Sequence, residues 1–423
     1  MGRQLFQACA PFRASIFELD KVHASATGVS LIDTTGLFTA DLPEATDSLG
    51  DPWPIAITLP ALTMLQLALV DTLAAVGVRP DAVVGHSAGE TAVLYASGAA
   101  SKAAALELAI ARGRALSLVE GAKGTMAAVS CSPKDARKII EEVNAELGAG
   151  VLGIGCYNTP GAVTLSGAES HIDLAVAKAA AAGIFARKLK TRVPVHSEMM
   201  ELCRAEFERL VADVFARYAV SAPSVATYST VTGQLCDRAF DAQYYWDGTL
   251  GPVRFKEAIQ AMMNKNKSAT FVEIGPHPVL ASYLQSMTER RDGITITCPL
   301  RRPRAPEPGI EPFEFAIALG KVVAAGHNCV DFDVLYGSAG EYTGALPQYP
   351  FARKSVPWFV ATPEIVRQRQ HRNGPMNYPQ LQMNVRTHPG LADHVIKGEP
   401  IVPAAGYIEM VGDLAELRPV PHD

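Results

Sequence analysis

An α/β fold in two subdomains is predicted by three observations along the chain. The first is a strand-like run, Ala82-Val83-Val84, that leads at once into Gly85-His86-Ser87-Ala88-Gly89 and a helix-compatible stretch beginning Glu90-Thr91-Ala92-Val93. The second is the order of patterns from Met126 to Leu189: strand, helix, strand, strand, helix, strand. That order is the split βαββαβ arrangement of a ferredoxin-like unit. The third is a change of composition beyond Pro299, where proline and charge replace the apolar periodicity.

The elements follow in order. Ile55 to Val78 is the most apolar stretch, but Pro60, Gln66 and Asp71 interrupt it, so it reads as a buried or amphipathic helix rather than a membrane span. After the serine turn, another helix runs through Ala103 to Leu118. In the smaller unit Met126 to Ser130 is a strand and Pro133 to Asn144 a helix opened by proline. Val151 to Tyr157 and Ala162 to Ser166 are strands, His171 to Ala182 an alanine-rich helix, and Phe185 to Leu189 the last strand. Then come Val193-Pro194-Val195-His196-Ser197, a long helix from about Glu198 to Tyr218, and strands that end at Thr270 to Ile274. The expected architecture is an α/β-hydrolase-like large subdomain with the ferredoxin-like subdomain, about 124–190, inserted into it, together filling 1–298. Residues 299–361 read as a linker with a helix near Phe313 to Ala325, 362–377 as a second, polar linker, and 378–423 as the opening of a further domain.

With 48% hydrophobic and 19% charged residues, 423 residues suit a globular chain of two or three domains. A net charge of -5 argues against a general nucleic-acid binder, and Arg301-Arg302-Pro303-Arg304 is short enough to be a solvated linker. The seven cysteines are an odd, scattered set without a CxxC pair, which indicates neither a disulfide framework nor a metal site. The opening MGRQLFQACAPF has no apolar signal core, so a soluble, cytoplasmic chain with no membrane partner is expected.

A strand, a sharp turn and a helix would hold Ser87 exposed as a nucleophile. Gly85 and Gly89 are expected to remove Cβ atoms that would clash in the turn, and the backbone N–H of Ala88 to stabilise an oxyanion. A serine needs a base to react near neutral pH. Among the ten histidines His196 is the strongest candidate, because it lies in a loop between a strand-like run and a helix. His171 reads as a surface residue, and His277, between two prolines, as part of a turn.

GHSAGE, then Arg112-Gly113, Tyr157-Asn158-Thr159-Pro160, Thr164-Leu165-Ser166-Gly167 and the PVHS around His196 come in the order of a known family. So do Tyr245-Trp246, Pro252-Val253-Arg254-Phe255, EIGPHPVL, and LPQYPF with Arg353 and Trp358. Over nearly its whole length the chain resembles the malonyl-type acyltransferases of polyketide and fatty acid synthases. The resemblance implies that Ser87 is the acylated nucleophile, His196 its base, and Arg112 the partner of the substrate's free carboxylate, which a guanidinium fork suits. From residue types alone Arg112 also fits a helix-surface arginine, and Asn158 fits either a pocket-lining residue or a turn cap. Acyl-CoA would be the substrate, phosphopantetheine on an acyl carrier protein the acceptor, and no cofactor would be bound. Val193-Pro194-Val195-His196 matches neither the HAFH-like nor the YASH-like tetrapeptide of the family, with a lean towards malonyl-CoA. The resemblance also carries two departures. The family's GQG-type motif, source of one oxyanion donor, falls before the position that matches Met1, so half of the oxyanion hole and a core strand are expected to be missing. Thr249 stands where members often have Asn or Gln, and its backbone carbonyl is expected to orient the histidine.

The segment from His388-Pro389-Gly390-Leu391 through His394 and Gly398 to Pro403 has the form HxxxGxxxxP and resembles the start of a hot-dog dehydratase domain, with His394 as its histidine. The acid of that family lies on a second hot-dog repeat, so no dehydratase activity is expected of this stretch. The neighbours implied are ketosynthase and dehydratase domains of a larger synthase. Two other readings share the same residues: a serine acyl hydrolase, in which water accepts the acyl group, and an inactive docking scaffold.

Overall fold

The computed structural model describes residues 1–39, 49–289, 291–303, 305, 307–336 and 389–416. The chain folds as two compact units, 1–342 and 343–423. The motif LPQYPF, Arg353, Trp358 and the polar linker 362–377 lie outside the described residues.

In the first unit the Ile55–Ala75 helix is the central pillar. It is long and apolar enough to cross a membrane by length and composition, and its buried residues, Met64, Leu67, Ala68 and Leu69 among them, enter the main core. Its close neighbour is the Lys102–Ser117 helix, which Ser101 caps by accepting a hydrogen bond from the Ala104 N–H. Gly113 makes the approach possible: a Cβ there would stand 3.1 Å from Ala56 Cα and 3.2 Å from the Ile55 oxygen. Strand β1 (Ala82–Val84) runs parallel to β6 (Ala226–Ser229), which pairs antiparallel with β7 (Gln234–Cys236). A separate parallel pair joins β8 (Ala269–Val272) to β9 (Ile294–Thr297).

Between them, β2 (Gly124–Val129), β3 (Leu152–Thr159), β4 (Ala162–Ala168) and β5 (Ala186–Lys188) form an antiparallel sheet in the order β3-β4-β2-β5. Helices Pro133–Leu147 and Glu169–Ala181 connect them in the order β2, helix, β3, β4, helix, β5. Both helices turn an apolar stripe onto one face of that sheet: Ile139, Val143, Ile172, Ala175 and Ala179 pack with Ala127, Val129, Val163 and Leu165.

The single long helix expected from Glu198 to Tyr218 is instead a 3-10 turn, Glu198–Cys203, followed by an α-helix, Arg204–Arg217. The chain leaves His196 at positive φ and Ser197 extended, and the Met200 N–H bonds back to the Ser197 carbonyl, which tightens the first turns before α geometry takes over. In the second unit, β10 (Val395–Ile396) and β11 (Glu399–Pro400) form a short hairpin ahead of an Ala404–Glu416 helix.

Candidate active site

Ser87 follows β1 and precedes the Gly89–Ala96 helix, with its backbone in the left-handed region at φ 53. A non-glycine residue there costs conformational energy, which the surrounding turn must offset. The turn is closed by the Gly89 N–H to the His86 carbonyl, 2.9 Å, and the Glu90 N–H to the Ser87 carbonyl, 3.1 Å. Only one of the two glycines is required by space. A Cβ on Gly85 would lie 2.7 Å from the Glu90 nitrogen, whereas one on Gly89 would meet nothing nearer than Gln66 Nε2 at 3.9 Å. The expectation that both glycines avoid clashes is corrected for Gly89. The Ala88 N–H, at the cap of the helix, has no acceptor among the described residues and adds to the positive end of the helix dipole.

His196 comes to Ser87 from 109 residues away, with Nε2 2.7 Å from the serine Oγ. Its Nδ1 lies 2.9 Å from the Gly251 carbonyl oxygen. A carbonyl only accepts, so Nδ1 carries the proton and Nε2 offers its lone pair to the Ser87 hydroxyl. This corrects the expectation for Thr249: its carbonyl accepts the backbone N–H of His196, 2.9 Å, and it is Gly251, two residues on, that orients the ring. The Ala242–Leu250 helix ends there, so its last carbonyls are free to serve both bonds. His196, like Ser87, is left-handed, at φ 67. Burial lowers its pKa from 6.5 to about 3, against the hydrogen bond it donates to the Gly251 carbonyl, which raises it, so the ring is neutral at physiological pH.

Two further contacts fix the histidine loop from the four-stranded sheet. The Ser166 hydroxyl donates to the Val195 carbonyl at 2.7 Å. Gly155 leaves room for the loop, since a Cβ there would stand 3.3 Å from His196 Cβ.

Arg112 is 3% exposed, which excludes a helix-surface position. One guanidinium nitrogen donates to Thr91 Oγ1 at 2.5 Å and another to Thr249 Oγ1 at 3.4 Å, while Nε has no partner among the described residues. The group lies over the Tyr245 ring, 5.6 Å from its centroid. Thr91 belongs to the helix that follows Ser87, and Thr249 to the segment that holds His196. Burial lowers the pKa of the guanidinium, against the neighbouring Tyr245, Glu90 and Tyr244, which raise it.

Asn158 lies inside β3, buried, and not at a turn. Its Oδ1 accepts from His86 Nε2 at 2.8 Å and its amide donates to Thr164 Oγ1 at 3.1 Å. His86, which sequence reasoning passes over although it stands beside the serine, thus links the nucleophile turn to the sheet, and burial lowers its pKa. Sequence reasoning also misses Glu90; the only signal is its place at the end of GHSAGE. His171 lies in the second helix of the four-stranded unit, near the Gly148 carbonyl, and His277 accepts from the Arg302 N–H; neither joins Ser87. In the second unit His394 Nδ1 bonds the Ile401 carbonyl at 2.8 Å.

A family model described as an acyl transferase domain matches residues 1–300. The highly reducing polyketide synthase stpks1 of Strobilurus tenacellus is 44% identical over 416 residues, 97% of this chain and 15% of that protein. Highly reducing polyketide synthase 40 of Fusarium pseudograminearum is 31% identical over 450 residues, 97% of this chain and 17% of that protein. The chain therefore spans only a small part of the length of these curated relatives. Among solved structures, the acyltransferase domain from the second module of the salinomycin polyketide synthase superposes with a TM-score of 0.68 at 30% identity, covering 82% of this chain and 75% of that one. A loading acyltransferase from the avermectin modular polyketide synthase gives a TM-score of 0.66 at 28% identity, covering 76% and 95%. Acyltransferase domains of this family need no cofactor of their own. The matched stretch contains Ser87, Arg112 and His196, and it shows that this chain belongs to the acyl transferase domain family, as an acyltransferase domain of the polyketide synthase type.

Proposed function

We propose that this domain takes a malonyl-type group from acyl-CoA onto Ser87 and passes it to the phosphopantetheine thiol of an acyl carrier protein within a larger synthase. The observation that carries this reading is Arg112: a buried guanidinium, held between the segments that bear Ser87 and His196, bonded among the described residues only to two hydroxyls, with Nε and further N–H donors left over. A buried cation without a carboxylate partner is costly, and a substrate that brings a carboxylate supplies one. An ester hydrolase has no use for such a group.

In the first half-reaction the Ser87 proton passes to His196 Nε2 as Oγ attacks the thioester carbonyl. The Ala88 N–H, at the head of the Gly89–Ala96 helix, is read as the donor that bonds the oxyanion. Collapse breaks the C–S bond, and the His196 proton leaves with the CoA thiol. The second half-reaction is the reverse, with the carrier thiol giving its proton to His196 and Ser87 recovering it.

We read the larger part of 1–298 as α/β-hydrolase-like and the four-stranded part as a ferredoxin-like insert, on the strand orders described above. The second unit is read as the start of a dehydratase hot-dog domain, on the HxxxGxxxxP spacing and on the bond that fixes His394 to the Ile401 carbonyl. Seven free thiols suit a reducing, cytoplasmic setting. Intact-mass analysis after exposure to an equimolar mixture of acyl-CoAs tests the main reading: a malonyl-type adduct absent from Ser87→Ala is expected, and an adduct of acetyl alone, or none, overturns it.

A further inference from the structure

Glu90 is a buried carboxylate that the acyl-transfer chemistry does not use. Its Oε1 accepts from the Thr230 N–H at 2.8 Å and from the Thr230 hydroxyl at 2.5 Å. Its Oε2 accepts from the Tyr244 hydroxyl at 2.9 Å, which also lies 2.8 Å from Ser229 Oγ. The Tyr245 hydroxyl donates to the Glu90 backbone carbonyl at 3.3 Å. The chain also folds back so closely on this residue that a Cβ on Gly85 would come within 3.0 Å of the carboxyl carbon.

These bonds have a geometric consequence. Tyr244 and Tyr245 occupy the first turn of the Ala242–Leu250 helix, and the far end of the same helix supplies the Thr249 and Gly251 carbonyls that hold the backbone and ring of His196. Glu90 lies three residues after Ser87 in a turn with two backbone hydrogen bonds, so it moves with the serine. One rigid helix therefore runs from the carboxylate to the histidine, and one rigid turn from the carboxylate to the serine.

We infer that Glu90 is a positioning residue whose carboxylate, by bracketing Thr230 and Tyr244, sets the separation of Ser87 and His196; the inference rests on the reading of those two as nucleophile and base. The bracket works through hydrogen bonds rather than charge. Glutamine can reproduce it, because its carbonyl oxygen accepts from Thr230 while its amide donates to the Tyr244 oxygen and Tyr244 turns its proton to Ser229. Alanine cannot, and it leaves the Tyr244 and Thr230 donors without their acceptor.

The test is the rate at which a fluorophosphonate, a serine-directed probe, labels the full chain, read by intact mass alongside single-turnover malonyl-CoA acylation. Glu90→Ala is expected to label about tenfold to a hundredfold more slowly, the scale of a misaligned reacting pair. Glu90→Gln should recover most of the labelling rate, and because the probe carries no carboxylate this readout is free of the charge that both variants remove from beside Arg112. Wild-type labelling in Glu90→Ala, or a folded Glu90→Gln as slow as Glu90→Ala, overturns the inference. Should circular dichroism find Glu90→Ala unfolded, Tyr244→Phe decides: slowed labelling in a folded protein supports the bracket, and an unchanged rate refutes it. Labelling that survives Ser87→Ala refutes the nucleophile reading itself, a separate outcome.

Discussion

Replacing Arg112 by alanine should turn a carboxylate-selective acyltransferase into one with little preference. Wild-type Arg112 is 3% exposed and, among the described residues, its guanidinium is bonded only to Thr91 and Thr249, so a bound carboxylate is paired where water does not compete. Breaking a desolvated charge pair of this kind costs about 2 to 5 kcal/mol. At 1.4 kcal/mol per tenfold, that is a fall of about 30-fold to several thousandfold in the malonyl rate relative to the acetyl rate. The fold should survive, since Thr249 Oγ1 keeps its bond to the Tyr245 carbonyl at 2.7 Å and the change removes a costly buried cation. Arg112→Lys should fall between, because an ammonium supplies charge without the planar fork. The assay is single-turnover acylation with malonyl-CoA and acetyl-CoA, followed by intact mass. Equal losses with both substrates would refute the reasoning and make Arg112 a structural residue.

Three other outcomes are expected. The folded His196 pKa of about 3 lies below the unfolded 6.5, so the unfolded chain binds more protons between them: stability from this group is full above pH 6.5 and is lost progressively towards pH 3, while acylation by the folded domain shows no inflection near 6.5, as denaturant melts and rate–pH profiles would report. Gly85→Ala should destabilise the domain by about 1 to 3 kcal/mol, because its Cβ meets backbone atoms of Glu90, whereas Gly89→Ala, at a helix start with open space, should be neutral or gain about 0.4 to 1 kcal/mol in thermal melts. Gly155→Ala, whose Cβ would lie 3.0 Å from Ser166 Cβ and 3.3 Å from His196 Cβ, should slow acylation about tenfold or more by displacing the base, and a wild-type rate would show that the loop yields without consequence.

Short-range pattern makes much of the fold legible. The strand-like runs at β2 and β4 and the proline at the head of the Pro133–Leu147 helix are local signals, and the observed elements fall within a few residues of the expected ones. The break between Cys203 and Arg204 is not legible, because its origin is the left-handed backbone at His196, which no residue type announces. In the site, residue types nominate side chains but not their carbonyl partners. The Gly251 oxygen that orients His196 belongs to a glycine like any other, and the nearby Thr249 draws the expectation instead. Arg112 and Arg114 are two residues apart on one helix, and only packing against the Ile55–Ala75 and Gly89–Ala96 helices distinguishes the buried one. Asn158 fits a pocket-lining residue or a turn cap equally well by type; its partner, His86, lies 72 residues away.

The supports of His196 have a bearing on the building of hybrid synthases. Ser166 and Gly155 reach its loop from the four-stranded sheet, while Thr249 and Gly251 reach it from the Ala242–Leu250 helix, and the Val253 N–H bonds to the Gly155 carbonyl between them. These pieces are distant in sequence but form one mechanical clamp. A chimaera that takes residues 124–190 from one parent and the remainder from another cuts through that clamp, even if Ser87 and Arg112 are inherited together. Segments 152–168, 193–197 and 249–255 are therefore best exchanged as a block, and crossover points should be chosen outside all three.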